Sequence, residues 1–314
     1  MNEILKYRPS KTRLSAFLIT LILVFCTGLQ VANAQQDPQY TQYMYNMNVV
    51  NPAYAGSKEH LEIGLLYRNQ WVGIEGAPRT VTFSAHTPID EKQGLGLSAI
   101  SDQAGPVKET NLYADYSYTL NLGGERRLAF GVKAGATFHD VGLLSVDLQE
   151  DFDIAFSENV NNTYLNIGAG LLFYTEKYYV GVSIPNFLNS RHLDINGRKF
   201  GSETQHYFTT AGYVLDLSST VKFKPSALIK ASFESPASLD LNANFLLYER
   251  FELGASYRLD DAVSGLCSVR ATDWLQLGFA YDNSLSYLKE PSYEVFVLFD
   301  VFFSKKAYRS PRYF

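Results

Sequence analysis

The sequence predicts an all-β fold: a transmembrane antiparallel β-barrel of about fourteen strands with a short N-terminal helical plug. Three features carry this reading. The chain opens with an export signal, its body alternates apolar and polar residues in short runs, and the connections between runs are long at one end and tight at the other.

Residues 1–34 have the three parts of a secretory signal peptide. Lys6, Arg8, Lys11 and Arg13 supply the positive start, Leu14 to Leu29 the apolar run, and Ala32-Asn33-Ala34 a small-x-small cleavage site. The apolar run is shorter than the ~20 residues a spanning helix needs. Phe25 is too bulky to precede a lipidated Cys26. Cleavage would remove four basic residues and Glu3, taking the formal net charge from −5 to −8. An acidic mature chain speaks against nucleic acid as a partner. It would keep one cysteine, Cys267, so no internal disulfide can staple it.

Residues 35–58 read as a plug. Asp37-Pro38 is a helix-start signal. Tyr40, Tyr43, Met44 and Met47 then follow at i, i+3, i+4 and i+7, one apolar stripe. Pro52 turns Asn51 away from helical geometry and ends the element before Tyr54. So short a helix needs a surface to pack on, and the periplasmic mouth of the following barrel is the nearest. Low charge and high aromatic content argue against a disordered leader.

Residues 59–303 read as the barrel. In "LEIGLLYRNQ" Leu61, Ile63, Leu65 and Tyr67 share one face, with Glu62, Gly64, Arg68 and Gln70 opposite. In "LAFGVKAGATF" Val132 and its neighbours at even numbers oppose Lys133 and its neighbours at odd ones. Period two marks strands with unlike faces. Fourteen such runs start near residues 60, 79, 93, 109, 126, 163, 178, 205, 221, 238, 250, 262, 274 and 291. Odd connections such as "VGIEGAP", "DQAGPVKE", 142–162 and 186–204 are long, and even ones such as "DEK", "GGE" and "TEK" are tight. Bacterial outer-membrane barrels have short periplasmic turns and longer outer loops. A soluble sandwich would share the alternation but not that asymmetry. Trp71, Trp274, Tyr67, Tyr178, Tyr179 and Tyr281 fall near strand ends, where amphipathic rings suit a bilayer interface. The lipid bilayer is thus an expected partner.

The inward positions carry both signs: Glu62, Arg68, Gln70, Lys133, Asp240, Glu252, Arg258, Arg270, Asp282 and Glu294. Such a lining either pairs with itself or receives a guest segment or solute, and fourteen strands enclose more space than side chains alone fill. No nucleotide-binding, zinc-protease or nucleophile-elbow motif occurs, so neither enzyme activity nor a cofactor or metal is expected. Residues 304–314 form a basic periplasmic tail that includes Arg309, Arg312 and Tyr313. An even strand count places both chain ends in the periplasm.

Four segments together carry a family resemblance: "DPQYTQYMYNMNVVNPAYAG" at 37–56, "YRNQWVGIEGAPRTVTFSAHTP" at 67–88, "GLGLSAISDQAG" at 94–105 and the final "SPRYF". They resemble the PorP/SprF family of Bacteroidota outer-membrane proteins over nearly the whole mature chain. The resemblance implies an outer-membrane barrel of the type IX secretion and gliding machinery. It implies as partners the periplasmic ring components and a secreted adhesin with a gliding-type C-terminal domain, which the protein helps to export or anchor. The "NPA" after an aromatic segment is also similar to the hatch of FadL-like transporters. That leaves transport of a hydrophobic solute as the alternative.

Overall fold

The computed structural model describes residues 39–145, 159–188, 191–195, 198–202, 205–233, 236–285 and 289–303. The expected signal peptide, the Asp37-Pro38 start, residues 146–158 of the long 142–162 connection, and Arg309, Arg312 and Tyr313 lie outside these residues.

Fourteen antiparallel strands form one closed sheet. They are β1 (Leu61–Asn69), β2 (Arg79–Pro88), β3 (Gln93–Ala104), β4 (Val107–Asn121), β5 (Arg127–Val141), β6 (Val160–Tyr174) and β7 (Tyr178–Ile184). The set continues with β8 (Tyr207–Tyr213), β9 (Val221–Ala231), β10 (Ser238–Leu247), β11 (Phe251–Arg258), β12 (Ala262–Thr272), β13 (Leu275–Ser284) and β14 (Ser292–Val301). Leu215–Asp216 continues β8 beyond Val214, and Arg191–Ile195 pairs with Arg198–Ser202 as a separate hairpin in the β7–β8 connection. Closure comes from β1 on β14, in register from Leu61↔Val301 to Asn69↔Tyr293. Every strand then has two neighbours, which satisfies the backbone where no water is present.

The alternation is visible strand by strand. Val132 is 57 % exposed on the outside, while the next residue, Lys133, is 2 % exposed on the inside. Leu97, Leu165, Leu253 and Val263 also face outward. Rings sit at both rims. Trp274 stacks on Phe299 at the tight-turn end (6.2 Å), and Tyr281 packs on Tyr293 at the other (5.4 Å). Tyr179 departs from the expected interface role: it is 3 % exposed and points inward over Gly212.

Connections after the even-numbered strands are tight. At β2–β3 the Asp90 carboxylate accepts the backbone N–H of Lys92 (2.7 Å) and of Gln93 (2.8 Å). The bond from Lys92 holds its pKa below the usual carboxylate range. The opposite end carries the long β5–β6 and β7–β8 connections. "DQAGPVKE" is not a long loop. Its residues extend β3 and β4, leaving only Gly105 and Pro106 between them. Thr110, Glu109 and Lys108 ladder with Ser101, Asp102 and Gln103, so polar residues project the strands past the apolar band.

Candidate functional site: the filled lumen

Residues 39–57 lie inside the barrel. The expected single helix is absent. The segment holds a 3-10 turn at Tyr43–Tyr45, one α turn at Met47–Val50 and a second 3-10 turn at Pro52–Tyr54. The reason is visible in the hydrogen bonds. Wall side chains bind the backbone groups that a helix would otherwise pair internally. Glu294 accepts from the backbone N–H of Thr41 on Oε2 (2.9 Å) and of Gln42 on Oε1 (2.7 Å). Lys133 Nζ donates to the Val49 carbonyl (3.2 Å), Ser183 Oγ to that of Val50 (2.8 Å) and Ser117 Oγ to that of Ala55 (2.5 Å).

The apolar stripe is accordingly dispersed. Tyr40 meets Thr82 across 3.0 Å. Tyr43 is fully buried, donates to Ser226 (3.2 Å) and accepts from Asn242 (3.3 Å). Met44, Met47 and Tyr54 instead line a cavity of about 480 Å³ at the tight-turn mouth. Asn51 caps its own turn by accepting from Ala53 N–H (2.9 Å) and donates to the Leu171 carbonyl of β6 (3.0 Å). Pro52 opens that turn.

Two charge clusters hold this segment. At the seam, Arg68 Nη2 lies 2.7 Å from Asp282 and Nη1 lies 3.0 Å from Glu294, while Nη1 also donates to Thr41 Oγ1 (3.0 Å). Thr41 Oγ1 in turn donates to Asp282 (2.7 Å). On β4 and β5, Lys133 lies 3.4 Å from Asp115, which accepts from Asn48 (3.2 Å). Elsewhere the lining pairs with itself. Arg258 forks onto Asp240 (2.8 and 3.1 Å), and Lys224 meets Glu252 (2.9 Å) beneath the ring of Tyr45. Gln70 lies just past β1 and takes no part in these clusters; its backbone N–H bonds to the Pro78 carbonyl.

Glycines on the inner wall admit the segment, a role that alternation alone did not reveal. A Cβ on Gly131 of β5 would run into Pro52 and Ala53, and one on Gly170 of β6 into the Asn51 side chain. Gly94 of β3 lies against Ala55 and Gly56, and Gly56 itself takes a left-handed φ of +70°. The sequence signal was present: glycine recurs on the faces that also carry charge, where a barrel lumen filled by side chains would have bulk.

Among the described residues, His60, Glu62 and Asp300 offer ligand atoms within 4.8 Å of one another. Cations already engage both carboxylates: Arg270 meets Asp300 (2.8 Å) and Lys58 meets Glu62 (3.8 Å), and the His86 ring lies 3.3 Å from Glu62. The group is an ion-pair cluster joining the start of β1 to the end of β14.

The segment runs downward. Thr41 touches Arg68, Asp282 and Glu294, all within two residues of the long-loop ends of their strands. Gly56 touches His86 at the tight-turn end of β2. The chain therefore descends through the lumen before β1 climbs back.

A closed, outward-apolar, fourteen-stranded barrel with a polar lumen filled by its own N-terminal residues is an outer-membrane β-barrel protein. The chain belongs to the PorP/SprF family, whose model, described as type IX secretion system membrane protein PorP/SprF, matches residues 32–299. It is a membrane component of that secretion system. No curated protein sequence matches it. Among solved structures, the CymD monoaromatic hydrocarbon channel is 13% identical with a TM-score of 0.53, covering 88% of this chain and 96% of that one. A Pseudomonas aeruginosa FadL homologue is 12% identical with a TM-score of 0.48, covering 86% and 96%. These likenesses concern the fold alone.

Proposed function

We propose that this protein is a sealed outer-membrane scaffold that helps the type IX machinery export or anchor secreted adhesins carrying a gliding-type C-terminal domain. In this reading residues 39–57 are a plug, and the protein is neither a solute channel nor an enzyme. The observation that carries it is the lumen filling: Glu294, Lys133, Ser183 and Ser117 all bond to backbone groups of the N-terminal segment. A barrel so occupied works through its rims, loops and ends.

The periplasmic rim supports a ring-facing role. Met44, Met47 and Tyr54 line its cavity beside Lys224, Arg250 and Arg270, and adaptable methionines next to fixed charge suit a protein contact. The tail with Arg309, Arg312 and Tyr313 would extend the same face. Residues 1–34 would be removed on export. Affinity capture from native membranes tests the reading: ring components and an adhesin should accompany the protein. Uptake of a hydrophobic solute by liposomes holding the purified barrel, with no protein captured, would instead establish the FadL-like alternative.

A further inference from the structure

Pro185 follows directly on Ile184, the last residue of β7, and a proline cannot donate to a sheet ladder. β7 therefore stops early. It pairs with β6 only from Ala169↔Ile184 to Tyr174↔Tyr179, whereas β6 continues to Val160 against β5 without a shift of register. The Phe187 N–H makes one last bond, to the Ile167 carbonyl (2.8 Å), and the Pro185 carbonyl packs on Gly168. Beyond that point, among the described residues, no strand pairs with this side of Val160 to Asn166. The hairpin in the β7–β8 connection pairs with itself.

The bonds below this edge show which way it faces. Ile167 turns its carbonyl to the β7 side, and the Asn51 amide meets the carbonyls of both Leu171 (3.0 Å) and Val182 (3.5 Å) between β6 and β7. Strand backbone alternates with period two, so Leu165, Thr163 and Asn161 turn their N–H and C=O groups the same way. Their side chains point outward, and Leu165 is 75 % exposed. Asn161 and Thr163 are polar, which places the edge at the long-loop end, above the apolar band. Sheet edges are usually blunted by charge or proline. Val160 to Asn166, "VNNTYLN", has neither.

We infer that this edge is a strand-addition seat that takes an extended, uncharged segment of an exported protein, laid where the upper half of β7 would have run. Extended backbone offers donors and acceptors at the spacing of Leu165, Thr163 and Asn161. Lipid chains offer neither, and a face of side chains matches that repeat at single points. The seat opens on the cell surface, so the segment comes from a protein that has crossed the membrane. That this protein is an adhesin rests on the function proposed above; the free edge does not.

Photo-crosslinking tests this in the full chain. Benzoylphenylalanine is placed at Thr163, at Leu165 or, as control, at Leu112, which faces outward on β4 between β3 and β5. Intact cells are irradiated and the joined peptides identified by mass spectrometry. The probes at Thr163 and Leu165 should join one peptide of an exported adhesin, at partner residues two apart, as a paired strand requires. The probe at Leu112 should join none. Thr163→Pro removes an N–H from the free side alone. The barrel should then stay heat-stable while the adhesin recovered with it falls about fivefold, the effect of losing one ladder hydrogen bond. No adduct, an adduct within the chain's own β7–β8 connection, or an adduct with a second copy of the chain overturns the inference. So does adhesin recovery unchanged by Thr163→Pro, which leaves the function proposed above standing. Adducts in strand register with another surface protein, when no adhesin accompanies the barrel, uphold the seat and overturn that function. If Thr163→Pro blocks insertion, the adducts decide alone.

Discussion

Arg68 and Glu294 are register partners across the seam between the first and last strands, and their side chains pair at 3.0 Å inside the barrel. Arg68 is 2 % exposed and Glu294 fully buried. Glu294 also holds two backbone amides of the lumen segment, so one carboxylate links closure of the wall to filling of the lumen.

Glu294→Ala should loosen the segment. It leaves Arg68 with one carboxylate, Asp282, in place of two and strands two buried N–H groups, and breaking a buried pair of this kind costs about 3–5 kcal/mol. The wild-type barrel should be silent in planar bilayers, and the variant should show ion conductance and proteolysis within residues 39–57. Glu294→Gln, which keeps one acceptor, should fall between. A silent, protease-resistant Glu294→Ala barrel would remove this residue's role as a clasp.

Gly131→Leu should displace the segment without any change of charge. The added side chain would occupy the space of Pro52 and Ala53. Overpacking costs about 1–3 kcal/mol where neighbours can yield, and here the obstruction is backbone. Gly265→Ala is the control: nothing lies within 4 Å of its added methyl, and it faces outward. Conductance and thermal melting should change for Gly131→Leu and stay put for Gly265→Ala.

Val132→Arg places a charge on the lipid side and should cost roughly 2–4 kcal/mol near mid-membrane. Lys133→Ala is not mild, although it points inward, because Asp115 would remain buried without its cation. Asp115→Asn combined with Lys133→Met should recover much of that loss. Folding into bilayers, read by gel mobility across a urea series, separates the three. Equal behaviour of Lys133→Ala and the double variant would detach Asp115 from the effect.

Deleting Ser304 to Phe314 should leave a heat-stable barrel in the outer membrane while weakening co-purification of ring components and lowering adhesin display. Normal partners and normal display would dispose of a docking role for Arg309, Arg312 and Tyr313. Loss of the barrel itself would assign the tail to assembly.

The barrel was legible because its physics is local. Lipid on one side and a polar lumen on the other impose period two, and Val132 beside Lys133 reads the same in the sequence as in the structure. The lumen segment was not legible in the same way. Tyr40, Tyr43, Met44 and Met47 have helical spacing, yet Glu294, Lys133 and Ser183 bond its backbone from remote strands. No local pattern encodes that. "DQAGPVKE" misled for a related reason: turn-like, polar residues can also be strand once it has left the membrane. Tyr179 near a strand end looked like an interface ring, but its register places it inside.

The glycine bed and the seam cluster together tie the wall of the barrel to the segment inside it. Without residues 39–57, Asp282 and Glu294 would face Arg68 across an open lumen and lose the hydrogen bonds that Thr41 and Gln42 donate. Wall closure and lumen filling thus share the same side chains, so a change that frees Thr41 and Gln42 also bears on the pairing of the first strand with the last.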